Sequence, residues 1–201
     1  MKYDVILAGV GGQGVLSVAS IIAHAALSEG LEVRQSEVHG MAQSGGAVIS
    51  HMLTASGKIA GDLVPKGGAD LIIGIEPLES LRYVSFLNPT GILVSAIDPF
   101  ANIPNYPSIE EVTSYIKRLP HWRIVEAAAL AKEAGLAKAA NTVMIGAASC
   151  FLPLKARSLE KTISDVFSKK DAAAARANVK AFKLGQTAVK TGKHSAAASR
   201  K

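Results

Sequence analysis

Apolar and polar positions along the chain form short solid runs that alternate with longer stretches of helical spacing. Residues 5–8, VILA, hold no polar position and predict a strand covered on both faces. Residues 15–28 carry apolar side chains at helical spacing, and Gly30 is a natural stop for that helix. Residues 31–37, LEVRQSE, alternate and predict a second strand. A third follows over 47–54, AVISHMLT, with Val48, Ser50 and Met52 on one face and Ile49, His51 and Leu53 on the other. Neither face is uniformly apolar, which points to a strand whose end reaches a functional cleft. Residues 70–76, DLIIGIE, are the clearest buried strand. Pro77 suits the first turn of a helix running to residue 87, which the turn Asn88-Pro89-Thr90-Gly91 ends before a strand over 92–96.

The second half is mostly helical. Residues 98–107 are proline-rich and irregular, on the strand-exit side where ligand-facing loops lie. Ser108 and Glu111 have capping-box spacing and start a helix to residue 119. A short strand over 122–125 leads into a helix over 126–134, stopped by Gly135. Residues 141–152 form an apolar, small-residue helix against the sheet; Ser158 caps a helix to 168, and Asp171 begins a last one to 190. This alternation predicts one α/β domain over residues 1–190, a three-layer α/β/α, Rossmann-like arrangement with a mostly parallel sheet. Only nine residues (38–46) join the second and third strands. That is too few for a parallel crossover, so at least one pairing should be antiparallel and the sheet mixed. Residues 191–201 are small, polar and basic and are expected to be a disordered tail.

Composition narrows the function classes. No apolar run is long enough to span a membrane, and the N-terminal segment passes directly from a short apolar run into glycines, as a first strand does and a signal peptide does not. The single cysteine, Cys150, cannot build a disulfide framework or a four-thiolate iron–sulfur cluster and reads as a small buried hydrophobe in a reducing, cytoplasmic setting. Five scattered histidines give no metal-ligand spacing. The net charge of +6 is uneven: residues 1–100 carry five Lys/Arg against nine Asp/Glu, and residues 101–201 carry seventeen against seven. The basic half has neither aromatic interleaving nor a recognition motif, so solvated helix faces or a surface for an acidic partner account for it better than nucleic acid does.

The candidate chemistry lies at residues 7–17, LAGVGGQGVLS. Gly9, Gly11 and Gly14 have the G-x-G-x-x-G spacing, with Gly12 and Gln13 between, and they sit between a strand and a helix. Glycines let the backbone turn sharply and let an anion approach the free N–H groups of a helix N-terminus. Two readings stand at this point, a phosphate or nucleotide site and a tight packing turn. A dinucleotide enzyme also needs an acid about twenty residues further on to hold the ribose. Glu32 and Glu37 are nearby, but Arg34 and Gln35 occupy the expected position, which weighs against a stand-alone NAD(P)-dependent dehydrogenase.

A second motif, SEVHGMAQSGGAVISH over residues 36–51, makes the reading more specific. Taken with the glycine turn, it resembles the gamma-type subunit of 2-oxoacid:ferredoxin oxidoreductases, and within that family the small (beta) subunit of indolepyruvate ferredoxin oxidoreductase. Gly9, Gly11, Gly12, Gln13 and Gly14 match the family, as do His39, Gly40, Met41, Ala42 and Gln43, then Gly45, Gly46, Ser50 and His51. Ser44 departs from it, since members often carry an arginine there, able to make a bidentate contact to phosphate or carboxylate. The segments NTVMIG (141–146) and NVKAFKLG (178–185) also resemble the family's C-terminal pattern.

The resemblance implies a non-redox small subunit of a heteromeric enzyme that oxidatively decarboxylates an arylpyruvate, with CoA as acceptor and ferredoxin taking the electrons. Thiamine diphosphate and iron–sulfur clusters would lie in a large partner subunit, and this chain alone would hold no cofactor. The two glycine loops, with Ser44, Ser50 and His51 as polar contacts, would complete the partner's cleft and help receive CoA. Each side chain also has a structural reading: Gln13 satisfying the loop backbone, Met41 filling the core, His51 hydrogen-bonded in the interior. A purely architectural subunit is the third alternative. In isolation, a surface shaped for a large partner could pair with itself.

Overall fold

The computed structural model describes residues 1–39, 45–101, 103–169 and 171–191. The N-terminal apolar run becomes β1 (Lys2–Val10), buried from Asp4 onward. It occupies an inner position in a six-stranded sheet of order β2-β3-β1-β4-β5-β6. The other strands are β2 (Glu32–His39), β3 (Ala47–Ala55), β4 (Ala69–Gly74), β5 (Leu87–Ala96) and β6 (Trp122–Val125). β1, β4, β5 and β6 run parallel, whereas β3 is antiparallel to both β1 and β2. The short link after β2 thus has the expected consequence, a hairpin-like return placed between the first two parallel strands.

Alternation along β1 divides the core into two layers. Val5 and Leu7 face α1 (Val15–Ser28) and the helices of the second half: α4 (Ala127–Glu133), α5 (Ala140–Ala148), α6 (Ala156–Ser168) and α7 (Ala172–Thr191). Ile6 faces the opposite layer, built by α2 (Pro77–Arg82), α3 (Ile109–Ile116) and the segment carrying Ile59 and Val64. Both faces of the sheet are covered, as a parallel sheet requires. Every fully buried Ile or Leu here contributes about 1.5–3 kcal/mol through removal from water.

Two glycines set how closely the helices of the larger layer approach. A methyl group on Gly146 of α5 would collide with the Phe182 carbonyl of α7, and one on Gly185 would collide with the Val143 carbonyl. The contact is reciprocal, and Thr142 reinforces it by donating to Asn178 Oδ1 at 2.6 Å. The NTVMIG and NVKAFKLG segments therefore face each other as one helix–helix interface.

Several local expectations are corrected. α2 stops at Arg82, a single 3-10 turn (Val84–Phe86) follows, and β5 begins at Leu87. The Asn88–Gly91 segment lies inside β5 as an irregularity, because Asn88 donates to Asp70 Oδ1 of the neighbouring strand at 2.7 Å and accepts from Thr90 N. α5 ends at Ala148. Lys155 precedes α6, and Ser158 sits inside its first turn with its N–H donating to the Lys155 carbonyl. Ser108 and Asp171 do cap their helices, accepting from Glu111 N and from Ala173 N and Ala174 N. The basic tail from residue 192 lies outside the described residues. Among the described residues, no helix is long and apolar enough to cross a membrane.

Candidate functional site

β1 and β4 are parallel neighbours, yet the helix after β1 packs on one face of the sheet and the helix after β4 on the other. Their C-terminal ends form a topological switch point, the crevice where open α/β sheets bind ligands. The glycine turn occupies it. Gly12 (φ 95°) and Gly14 (φ 82°) adopt left-handed conformations that other residues take only at a cost. Gly14 precedes α1, whose N-terminus has no side-chain cap and no acid in its first turn. The positive end of the helix macrodipole is therefore not neutralised by the helix's own residues.

Gln13 folds back and accepts the Val10 N–H through Oε1 at 2.8 Å, so it satisfies a backbone donor of the turn. Asn141 of α5 donates to the Gln13 carbonyl at 2.7 Å and lies 2.9 Å from where a Gly14 Cβ would stand. Gly9 lies beneath the turn, close against Val15 and Ile75. The second glycine loop is joined to the first through the backbone. Gly11 N donates to the Gly46 carbonyl at 2.8 Å, and Gly45 N donates to the Gly11 carbonyl at 3.2 Å, extending the β1–β3 ladder beyond its Val10–Ala47 pair.

Outside this junction lies a cleft of about 490 Å³, lined by Val10, Gly11, Gly12, Gly14, Val15, Leu16, Ser17, Glu37 and Val48. A smaller cavity of about 180 Å³ lies on the other side of Gln13, over Ile75, Ala96, Asp98 and Asn141. Of the residues singled out from the sequence, Gly11, Gly12 and Gly14 share the larger cleft, with Gly45 joined to them through Gly11. The His39 backbone pairs with Val48 at the cleft margin. Gly40, Met41, Gln43 and Ser44 lie outside the described residues.

Ser50 and His51 are buried in β3. Ser50 accepts from Gln35 Nε2 at 3.5 Å. His51 stands on the face opposite α1, accepts the Val64 N–H on Nδ1 at 3.2 Å and meets the Phe86 ring edge-on. Burial lowers its pKa below the usual histidine value, which keeps Nδ1 free to accept. The mixed polarity of β3 thus arises from inner polar residues bonded to their neighbours, and the strand reaches the cleft through Val48.

Sequence reasoning set Glu37 aside and missed Glu76 and Asn141. Arg34 pairs with Asp62 and Glu32, Gln35 reaches Ser50, and it is Glu37 that faces the glycine cleft. Glu76, nearly inaccessible after β4, caps α2 by accepting from Glu79 N and also accepts from Phe100 N and the Tyr106 hydroxyl. It ties the irregular segment after β5 to the switch point, and burial together with this bond raises the Tyr106 phenol pKa. A carboxylate directly before Pro77 was the available signal. Asn141 is the third, lying inside a segment singled out only by resemblance.

The sequence profile described as "Pyruvate ferredoxin/flavodoxin oxidoreductase" matches residues 4–188. The chain is 35% identical to the indolepyruvate oxidoreductase subunit IorB of Archaeoglobus fulgidus, over 98% of this chain and 100% of that one. In fold it resembles the gamma subunit of a keto/oxoacid ferredoxin oxidoreductase from Geobacter sulfurreducens, with a TM-score of 0.68 and 22% identity over 94% of this chain and 99% of that one. It also resembles the 2-oxoglutarate:ferredoxin oxidoreductase of Magnetococcus marinus, a structure with 2-oxoglutarate, coenzyme A and succinyl-CoA bound. That match has a TM-score of 0.75 and 21% identity, and covers 96% of this chain but only 32% of the longer one. The chain belongs to the pyruvate ferredoxin/flavodoxin oxidoreductase family.

Proposed function

We propose that this chain is the non-redox small subunit of a thiamine-diphosphate and iron–sulfur 2-oxoacid:ferredoxin oxidoreductase. It would act on indolepyruvate or a related arylpyruvate, and its glycine cleft would receive CoA at the partner's active site. The observation that carries the reading is the backbone junction of Gly11 with Gly45 and Gly46, which joins both motifs into one wall of an open cleft. A match of 35% identity along the length of an indolepyruvate oxidoreductase subunit supports the substrate class.

Iron–sulfur clusters do not fit this chain, because a cluster takes about four thiolates and the sequence holds one cysteine. That cysteine, Cys150, is half-buried, and burial raises its pKa, which disfavours the thiolate. The clusters and thiamine diphosphate would lie in the large subunit, where they would supply the electron path and the decarboxylation chemistry. The residues of this chain bind and orient. The N–H groups of Gly12, Gly14 and the N-terminus of α1 donate to phosphate oxygens, Gln13 and Asn141 hold the turn rigid, and Glu76 holds the segment after β5. Exposed Leu16, Val38, Phe100 and Ile103 lie at or beyond the carboxyl ends of β1, β2 and β5 and suit burial against the large subunit, or against a second copy when the chain is alone.

Reconstitution tests the proposal. The chain alone should show no oxidoreductase activity, and adding it to the large subunit should be required for CoA-dependent arylpyruvate oxidation. Full activity of the large subunit by itself would refute the reading.

A further inference from the structure

Glu37 carries the only charge among the described residues lining the glycine cleft. It stands near the end of β2, in register with Ser50, on the α1 side of the sheet. Its Oε2 is shielded from water and has no hydrogen-bond partner among the described residues, whereas nearby Arg34 and Gln35 are both engaged. Shielded carboxylate oxygens are ordinarily satisfied, and one without a donor is costly. The facing wall is the reverse case, offering an uncapped helix N-terminus that wants acceptors. The two walls therefore complement a single molecule that presents acceptor oxygens to the turn and an N–H or O–H donor to β2. The space is nucleotide-sized.

We propose that Glu37 is a ligand-contact residue of this cleft. Its carboxylate, which lines the cleft, accepts a hydrogen bond from a neutral hydroxyl, amide or amine of the molecule whose phosphates lie against the glycine turn. The inference rests on the reading that CoA occupies the cleft, and it adds that the carboxylate sets the orientation of CoA. A negative group on the β2 side repels phosphates and keeps the anionic end over the α1 N-terminus.

The test uses the reconstituted complex with Glu37→Ala and Glu37→Gln, titrating CoA and the 2-oxo acid separately. The KM for CoA should rise tenfold or more in Glu37→Ala and less in Glu37→Gln, which keeps an acceptor. The KM for the 2-oxo acid and subunit affinity should stay unchanged. The free Glu37→Ala chain should melt at or above the wild-type temperature, because the shielded oxygen has no partner to lose. An unchanged KM for CoA overturns the proposal, and so does a lowered one, which would place the carboxylate against phosphate. It is equally overturned by weakened assembly with an unchanged KM, which would mean that a partner side chain meets Glu37, and by a lowered melting temperature, which would mean a structural role. Failure of the underlying reading is separate and shows in the wild type, as activity that needs neither this chain nor CoA.

Discussion

Gly12 separates a ligand-receiving turn from a packing turn, because backbone conformation and cleft occupancy can be changed independently there. Its φ of 95° is left-handed, and a Cβ at this position would meet nothing within 4 Å. Alanine therefore adds only backbone strain, about 1–2 kcal/mol. At about 2–4 °C per kcal/mol for a chain of this size, Gly12→Ala should lower the melting temperature by roughly 2–8 °C. Asparagine tolerates the left-handed region better, so Gly12→Asn should cost less stability while projecting a larger side chain into the cleft.

The two readouts should then run in opposite order. Melting of the free chain, followed by circular dichroism, should rank wild type above Gly12→Asn and Gly12→Asn above Gly12→Ala. The KM for CoA of the reconstituted complex should rise most in Gly12→Asn, tenfold or more. Gly9→Ala is the control, since its Cβ would stand 2.8 Å from Val15 Cγ2 and 3.3 Å from Ile75 Cβ. Overpacking of that kind costs about 1–3 kcal/mol and should reduce stability with little change in KM. A Gly12→Asn complex with the wild-type KM for CoA would refute the placement of CoA at this turn.

Three further outcomes follow from the interior. Gly146→Ala or Gly185→Ala should separate α5 from α7, costing at least about 3 kcal/mol, at the upper end for overpacked cores; a urea midpoint equal to wild type would refute the close approach. For His51 the folded pKa lies below the unfolded value of about 6.5, so the unfolded state binds more protons in the window between them. Stability should accordingly fall as pH drops below about 6.5, and His51→Phe should remove that slope. Glu79 acts with the opposite sign, since burial raises its folded pKa and stability falls as pH rises above the ordinary carboxyl value. Denaturation of His51→Phe and Glu79→Gln across pH 4–7 separates the two contributions (the pH range spans about the reference values of both groups), and a pH slope unchanged in His51→Phe would refute the assignment to His51.

What was legible in the sequence is what local chemistry decides. The glycine turn, the stops at Gly30 and Gly135, the caps at Ser108 and Asp171 and the antiparallel return after β2 each depend on a few adjacent residues or on a loop length. The errors have partners far along the chain. Asn88-Pro89-Thr90-Gly91 has turn composition, but Asp70 on the adjacent strand holds it within β5. The polar residues of β3 pointed to a strand reaching a cleft, and β3 does so through Val48, but Ser50 and His51 themselves are satisfied inside by Gln35 and Val64. Counting residues past the glycines favoured Arg34 and Gln35 over Glu37, because spacing alone does not reveal that β3 is inserted between β1 and β2 and shifts β2 by one strand position.

The inserted strand also shows why one chain would carry two glycine motifs. In a fold with β2 beside β1, the residues after the first turn would be free to vary apart from it. Here β3 takes that place, and its approach through Gly45 and Gly46 is hydrogen-bonded to Gly11. A displacement of either motif breaks the end of the β1–β3 ladder, so the two are constrained to move as one wall. That wall offers backbone donors, Ser17 and Glu37, with no nucleophile–base pair among its described lining residues. Rigidity without reactive groups is what a surface needs in order to hold a cosubstrate against chemistry performed by another chain. It is also why Gly12, open on one side and fixed on the other, is the position where ligand and scaffold roles separate.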